Sequence, residues 1–199
     1  MSTIKTVNHQ IGTSTTPTQN FTLTAAALDG SMKLARGNSG ATTNDVLTVT
    51  PAGVVKIPNN QVAFIAYASG GGQAATAGVT LAPIQFATKT YDVSNAFNAA
   101  TGVFNPQVAG YYQINAGVND NGAASGGYAF LYVLKNGVAN LGYTLVHRGS
   151  TVGMTPTISY LVNLNGSTDT VTIGYNSSAA TIVQATQGTF FQGFLVFPT

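Results

Sequence analysis

Tyr128-Ala129-Phe130-Leu131-Tyr132-Val133-Leu134, running into Lys135-Asn136-Gly137, is the stretch on which the reading of this chain turns. Side chains alternate across a strand, so Phe130, Tyr132 and Leu134 fall on one face and Ala129, Leu131 and Val133 on the other. Both faces are apolar. Asn136-Gly137 suits a two-residue type I′ turn, which needs positive φ at both central positions, and residues 138–146 supply the returning strand. An antiparallel strand that is apolar on both faces needs cover on both sides. In a two-sheet sandwich the core covers one side, and a further subunit is expected to cover the other.

Residues 190–197 repeat the argument, with Phe191, Gly193, Leu195 and Phe197 assigned to one face and Phe190, Phe194 and Val196 to the other. Burying one large aromatic stabilises by roughly 1.5–3 kcal/mol, so several per copy predict a firm interface between copies. Residues 158–164 alternate, with Ile158, Tyr160, Val162 and Leu164 on one side, and residues 170–175 do the same with Val171, Ile173 and Tyr175. These two are predicted as half-exposed strands of an outer sheet. Residues 111–118 form another strand. Residues 62–67 form the first strand of the C-terminal unit, and the glycine-rich run from Ser69 to Gly78 reads as a flexible loop after it. Helical periodicity is nearly absent and 23 Gly and 7 Pro punctuate the apolar runs, so the fold class is all-β.

Residues 1–60 differ, since Phe21 is their only aromatic. Strands are predicted at 21–24, 32–36, 46–50 and 53–57, separated by Asp29-Gly30, Gly37-Asn38 and Pro51-Ala52-Gly53. So few large apolar groups do not readily build a core alone, so this segment is expected to intertwine with other chains, to dock on a partner or to pack as a small β-appendage on its own head. The domain division is therefore 1–60 and 61–199.

Charged residues make up 6% of the chain, against about a quarter in ordinary soluble domains, and there is no Glu. Weak self-repulsion follows, which fits a subunit covered largely by copies of itself. Lys5, Lys33, Lys56, Lys89, Lys135, Arg36 and Arg148 are scattered, so the sequence shows no cationic groove for nucleic acid. The absence of Cys excludes disulfides and thiolate metal sites. No run approaches the length of a membrane span. Residues 1–12 lack the charged start and apolar stretch of a secretion signal, and the expected setting is a virion assembled in a host cytoplasm.

Phe86, Asp92, Phe97, Phe104, Gly110 and Tyr112 stand at the spacing of an aromatic pattern shared by complement-type globular heads, relatives of the tumour-necrosis-factor jelly roll. Ile114 and Ala116 depart from its last two aromatic positions. Lys135-Asn136-Gly137 resembles the usual hairpin turn of that family, and Phe191-Gln192-Gly193-Phe194-Leu195-Val196-Phe197-Pro198 resembles its closing strand. Across residues 61–199 the resemblance implies a ten-stranded antiparallel jelly roll, assembled as a homotrimer, that binds through outer loops rather than catalysing a reaction. Within the pattern, Thr101-Gly102 turns the chain so that Phe104 points into the core, and Gly110 permits a tight approach into the strand that carries Tyr112. Residues 30–38 and 46–58 resemble segments that precede the receptor-binding tips of phage tail fibres.

Chemistry is sparse. The five acids, Asp29, Asp45, Asp92, Asp120 and Asp169, each sit in a turn-like setting, which argues against a paired-carboxylate glycosidase. Asn119-Asp120-Asn121-Gly122 has one carboxylate where calcium usually takes more, so a β-turn is expected there. His147-Arg148 is the most site-like pair: it either grips a receptor sugar or phosphate or forms a solvated turn or an intersubunit bond. His9 is expected to be exposed without a partner. Tyr111, Tyr128, Tyr132, Tyr143 and Tyr175 stack on sugars if exposed and otherwise serve core or interface. No cofactor is expected. The function expected is a non-enzymatic virion protein, a trimeric tail-fibre tip that binds a host-surface glycan or protein and is anchored to other virion proteins through residues 1–60. The rival expectations are a capsid-attached head fibre or decoration protein and, in another class, a fibre-borne polysaccharide depolymerase.

Overall fold

Period-two alternation and glycine punctuation produce strands throughout: the described residues hold seventeen strands and no helix. The computed structural model describes residues 8–11, 13, 15, 21–25, 32–38, 41–57, 62–122, 126–149 and 151–199. The chain divides into two compact units, Met1–Asn60 and Gln61–Thr199.

In the first unit, β1 (Asn8–Ile11), β2 (Phe21–Ala25), β3 (Met32–Asn38), β4 (Ala41–Val49) and β5 (Val55–Lys56) form one sheet in sequential order, each strand antiparallel to the next. Two register shifts interrupt the β3–β4 pair. Thr22 and Ala35, directly paired across β2 and β3, are its buried side chains among those described. Asp29 and the side chains of His9 and Asp45 lie outside the described residues.

The second unit contains β6 (Ala63–Tyr67), β7 (Gln73–Ala75), β8 (Thr88–Asp92), β9 (Phe97–Asn98), β10 (Val103–Phe104), β11 (Gly110–Gly117), β12 (Tyr128–Lys135), β13 (Ala139–His147), β14 (Thr157–Leu164), β15 (Val171–Ser177), β16 (Thr181–Val183) and β17 (Phe190–Pro198). Two five-stranded antiparallel sheets, ordered β14-β11-β17-β6-β8 and β13-β12-β15-β10-β9, enclose one core, which is the ten-stranded jelly-roll arrangement. A third sheet pairs β7 with β16, so part of the glycine-rich run expected to be a flexible loop is instead a strand. Composition alone missed this because the partner strand lies about a hundred residues away in sequence.

Aromatic rings hold the core together. Phe64 stacks on Phe97 and Phe104, with centroids 4.7 Å away in each case, and meets the edge of Phe191 at 4.9 Å. The β12–β13 turn forms as its residues dictate: Asn136 and Gly137 both have positive φ, 55° and 71°. The Asn136 side chain clamps the turn to the next loop, accepting from Thr170 N–H at 2.8 Å and donating to Asp169 at 3.1 Å.

Two strands depart from expectation. β15 is buried along its whole length rather than half-exposed. It lies inside its sheet, and the segment before β8 extends along its other edge, where Leu81 and Tyr175 exchange backbone bonds and Ile84 N–H donates to Ile173 C=O. Leu134, Thr80 and Ala82 close over the position of Gly174. The second departure is Phe197, assigned by alternation to the core face but 49% exposed. Opposite β11 the register jumps from Tyr111–Phe197 to Tyr112–Leu195. Val196 is thus an extra residue, and such a bulge flips every side chain beyond it. Phe197 therefore stacks outside, on Tyr111, with centroids 4.8 Å apart.

Candidate binding surfaces

The residues of the spaced pattern build the scaffold. Phe86, Phe97, Phe104 and Tyr112 are buried in the core. The Tyr112 hydroxyl donates to Val108 C=O at 2.6 Å, and burial pushes its pKa up to about 12. Asp92 accepts from Ala96 N–H at 2.9 Å and Phe97 N–H at 3.0 Å and pairs with Lys89 at 3.2 Å, which explains the carboxylate at that place. Gly110 is required by crowding: a Cβ there would lie 2.5 Å from Phe197 O and 3.0 Å from Pro198 Cα. At Gly193 a Cβ would press on the Phe64 ring at 2.8 Å. Phe194 and Pro198, grouped with these as structural positions, are exposed on this protomer.

The His147-Arg148 pair does not exist as a unit. The strand alternation turns His147 outward and Arg148 inward, so Arg148, offered as a receptor contact, is a buried ion-pair partner on this chain. Its two terminal nitrogens donate to the Asp120 carboxylate, which also accepts from Tyr175 Oη, Gly122 N–H and Met154 N–H. The β-turn expected at residues 119–122 is not formed: Asp120 makes a β-bridge with Val183, the Gly122 N–H bonds only its side chain, and the carboxylate is committed to the interior. Burial works to raise the Asp120 pKa, yet the bonds from Arg148, Tyr175, Gly122 and Met154 outweigh it and hold the group below its ordinary value. Burial and the Asp120 carboxylate push the Tyr175 hydroxyl up. Asp169 is held low, chiefly by the hydrogen bond from Lys135 at 2.8 Å.

Among the described residues of the head, one apolar surface on each sheet bears on binding. Phe194 (44% exposed), Val196 (50%) and Phe197 on β17 form the first. Leu161 (49%) on β14 is continuous with them across Gln113, which is the Cα partner of both Leu161 and Phe194. The second runs over β12 and β13, where Tyr128, Phe130, Tyr132 and Tyr143 make a connected set of rings. Centroids lie 5.3 Å apart for Tyr128–Phe130, 5.6 Å for Phe130–Tyr132 and 5.5 Å for Phe130–Tyr143. Tyr143 is 59% exposed and Tyr128 39%. Burial, then the neighbouring phenols of Tyr128 and Tyr143, raise the Tyr132 pKa and keep its hydroxyl protonated. His147 is the Cα partner of Tyr128 and stands at the end of this ladder. Sequence alternation marked both faces as apolar but could not place them on opposite sheets.

Residues 63–196 match the family profile of the C1q domain. The chain belongs to the C1q domain family. Solved structures agree on the fold of this C1q head. The globular domain of zebrafish complement 1qA is 19% identical, with a TM-score of 0.52, and the match covers 69% of this chain and 99% of that one. Murine APRIL is 11% identical, with a TM-score of 0.53 and coverage of 68% and 99%. Eiger TNF from S. frugiperda is 9% identical, with a TM-score of 0.52 and coverage of 70% and 95%. Among curated proteins, no sequence matches the chain. C1q and TNF-like domains are often trimeric and receptor-binding, and are generally non-enzymatic binding modules.

Proposed function

We propose that this chain is a non-enzymatic virion protein, a homotrimeric adhesive tip of a phage tail fibre. Its C1q head binds a receptor on the host surface, and residues 1–60 attach it to other virion proteins. The observation that carries the assembly is the uncovered apolar row Leu161, Phe194, Val196 and Phe197. A contiguous apolar face of this kind marks an interaction surface, and in a chain with 6% charged residues it favours contact between copies. The non-enzymatic reading is supported by the carboxylates of the head: Asp92, Asp120 and Asp169 are each held in ion pairs and hydrogen bonds. The fibre setting rests on the likeness of residues 30–38 and 46–58 to segments ahead of fibre tips.

Light scattering on the full chain during gel filtration tests the assembly. A native mass of three times 20.4 kDa is expected, and a single-chain mass overturns the trimer. Gold-labelled antibody on intact particles tests the setting. Label at the fibre ends is expected, whereas label on the capsid assigns the chain to a head fibre or decoration protein.

A further inference from the structure

The two apolar surfaces differ in chemistry, and the difference assigns them different occupants. The β17 surface is mainly hydrocarbon: the side chains of Leu161, Phe194, Val196 and Phe197 are apolar, with one phenol (Tyr111) and one amide (Gln113) among them. The β12–β13 surface bears phenols. Three of its four rings are tyrosines, His147 stands beside Tyr128, and Leu145 lies across from Phe130. The residues paired across this face, Tyr128 with His147, Phe130 with Leu145 and Tyr132 with Tyr143, include no Lys, Arg, Asp or Glu. On its other side the same strand lies against Asn176 and Gly174, over which Leu134, Thr80 and Ala82 close, so the ladder is open only along its outer face.

We propose that the ladder Tyr128, Phe130, Tyr132 and Tyr143, with His147 at its end, is a glycan-binding platform for an uncharged hexopyranose chain. This inference rests on the reading of the head as an adhesive one and names its site and ligand class. A pyranose ring presents an apolar C–H face and a rim of hydroxyls. The C–H face packs on an aromatic ring, while phenol oxygens and the imidazole exchange hydrogen bonds with the rim. Tyrosine supplies this amphipathic contact with little rotamer entropy to lose. The rings also brace one another: Phe130 touches Tyr128, Tyr132 and Tyr143, so the platform is organised before a ligand arrives. For a sulfated or sialylated chain the nearest guanidinium, that of Arg148, is buried against Asp120, and the ammonium of Lys135 at the far end of β12 is paired with Asp169. An apolar protein partner would leave the phenols of Tyr128 and Tyr143 without the water they now meet, at a cost in hydrogen bonds.

The test is an array of neutral and acidic oligosaccharides probed with the labelled full chain, as wild type, Tyr132→Ser, Tyr143→Ser and Tyr143→Phe. Native mass and melting are followed for each. Neutral hexose glycans are expected to bind. Either serine variant should weaken that binding about tenfold, while Tyr143→Phe keeps the larger part because the ring remains. Binding only to acidic glycans, no binding at all, or binding undiminished in both serine variants overturns the platform. A serine variant that falls to the mass of one chain also overturns it, since the ladder would then lie between copies. The assembly reading fails by a separate readout, a single-chain mass in the wild type.

Discussion

Arg148 and Asp120 form an ion pair with both side chains wholly out of solvent, joining the end of β13 to the loop after β11 across 28 residues of sequence. Tyr175 of β15 donates to the same carboxylate, so three separate chain segments meet at one charge. Removing one partner leaves the other charge buried alone, which costs about 3–5 kcal/mol. Arg148→Met and Asp120→Asn are each expected to lower the melting temperature of the head markedly. The double variant should recover part of the loss, because neither charge is then stranded. Thermal melts of the three variants check this.

The same group sets an acid limit. The folded pKa of Asp120 lies below its ordinary value of 3.8, so its contribution is complete above that pH and is lost as pH falls through the folded value. At the other end, burial raises Tyr112 and Tyr175 above 10.0, so the unfolded chain ionises first and stability falls as pH rises past 10.0. Melting temperatures across acid and alkaline pH should show both losses. Tyr112→Phe should soften the alkaline one.

Gly110→Ala is expected to destabilise by about 1–3 kcal/mol. The new methyl meets backbone atoms of Phe197 and Pro198, which cannot turn aside as a side chain would. Denaturant unfolding of the variant measures the effect directly.

Phe194→Asp places a charge in the middle of the β17 surface while leaving the core untouched, since Phe194 is exposed in the single chain. The native mass is expected to fall from three chains to one, with a folded circular-dichroism spectrum retained. An unchanged mass moves the contact between copies away from this face.

A chain starting at Gln61 should fold on its own, because the core residues of the head run from Val62 to Phe191. It is expected to melt cooperatively and still bind receptor-bearing cells, but to be missing from assembled particles. Detection of the truncated chain in purified particles would remove the anchoring role of residues 1–60.

The sequence by itself determined the all-β class, most of the strands and the turn between β12 and β13, because these depend on local chemistry. Ile158 and Val162 alternate with exposed neighbours as a half-buried strand must, and Asn136-Gly137 occupies the two positive-φ positions of its turn. The spacing from Phe86 to Tyr112 was likewise legible, since each aromatic fills the core from a fixed distance along the chain. Tertiary structure alone decided the rest. Val171–Ser177 is buried on both faces because of the segments that flank it, which alternation within the strand cannot reveal. One extra residue at Val196 turned Phe197 from core to surface. Adjacent in sequence, His147 and Arg148 parted to opposite sides of a sheet, one to the rim of an aromatic ladder and the other to a buried carboxylate. Charge placement and the division of apolar faces between sheets depend on contacts between residues far apart in sequence, and those contacts exist only once the sandwich closes.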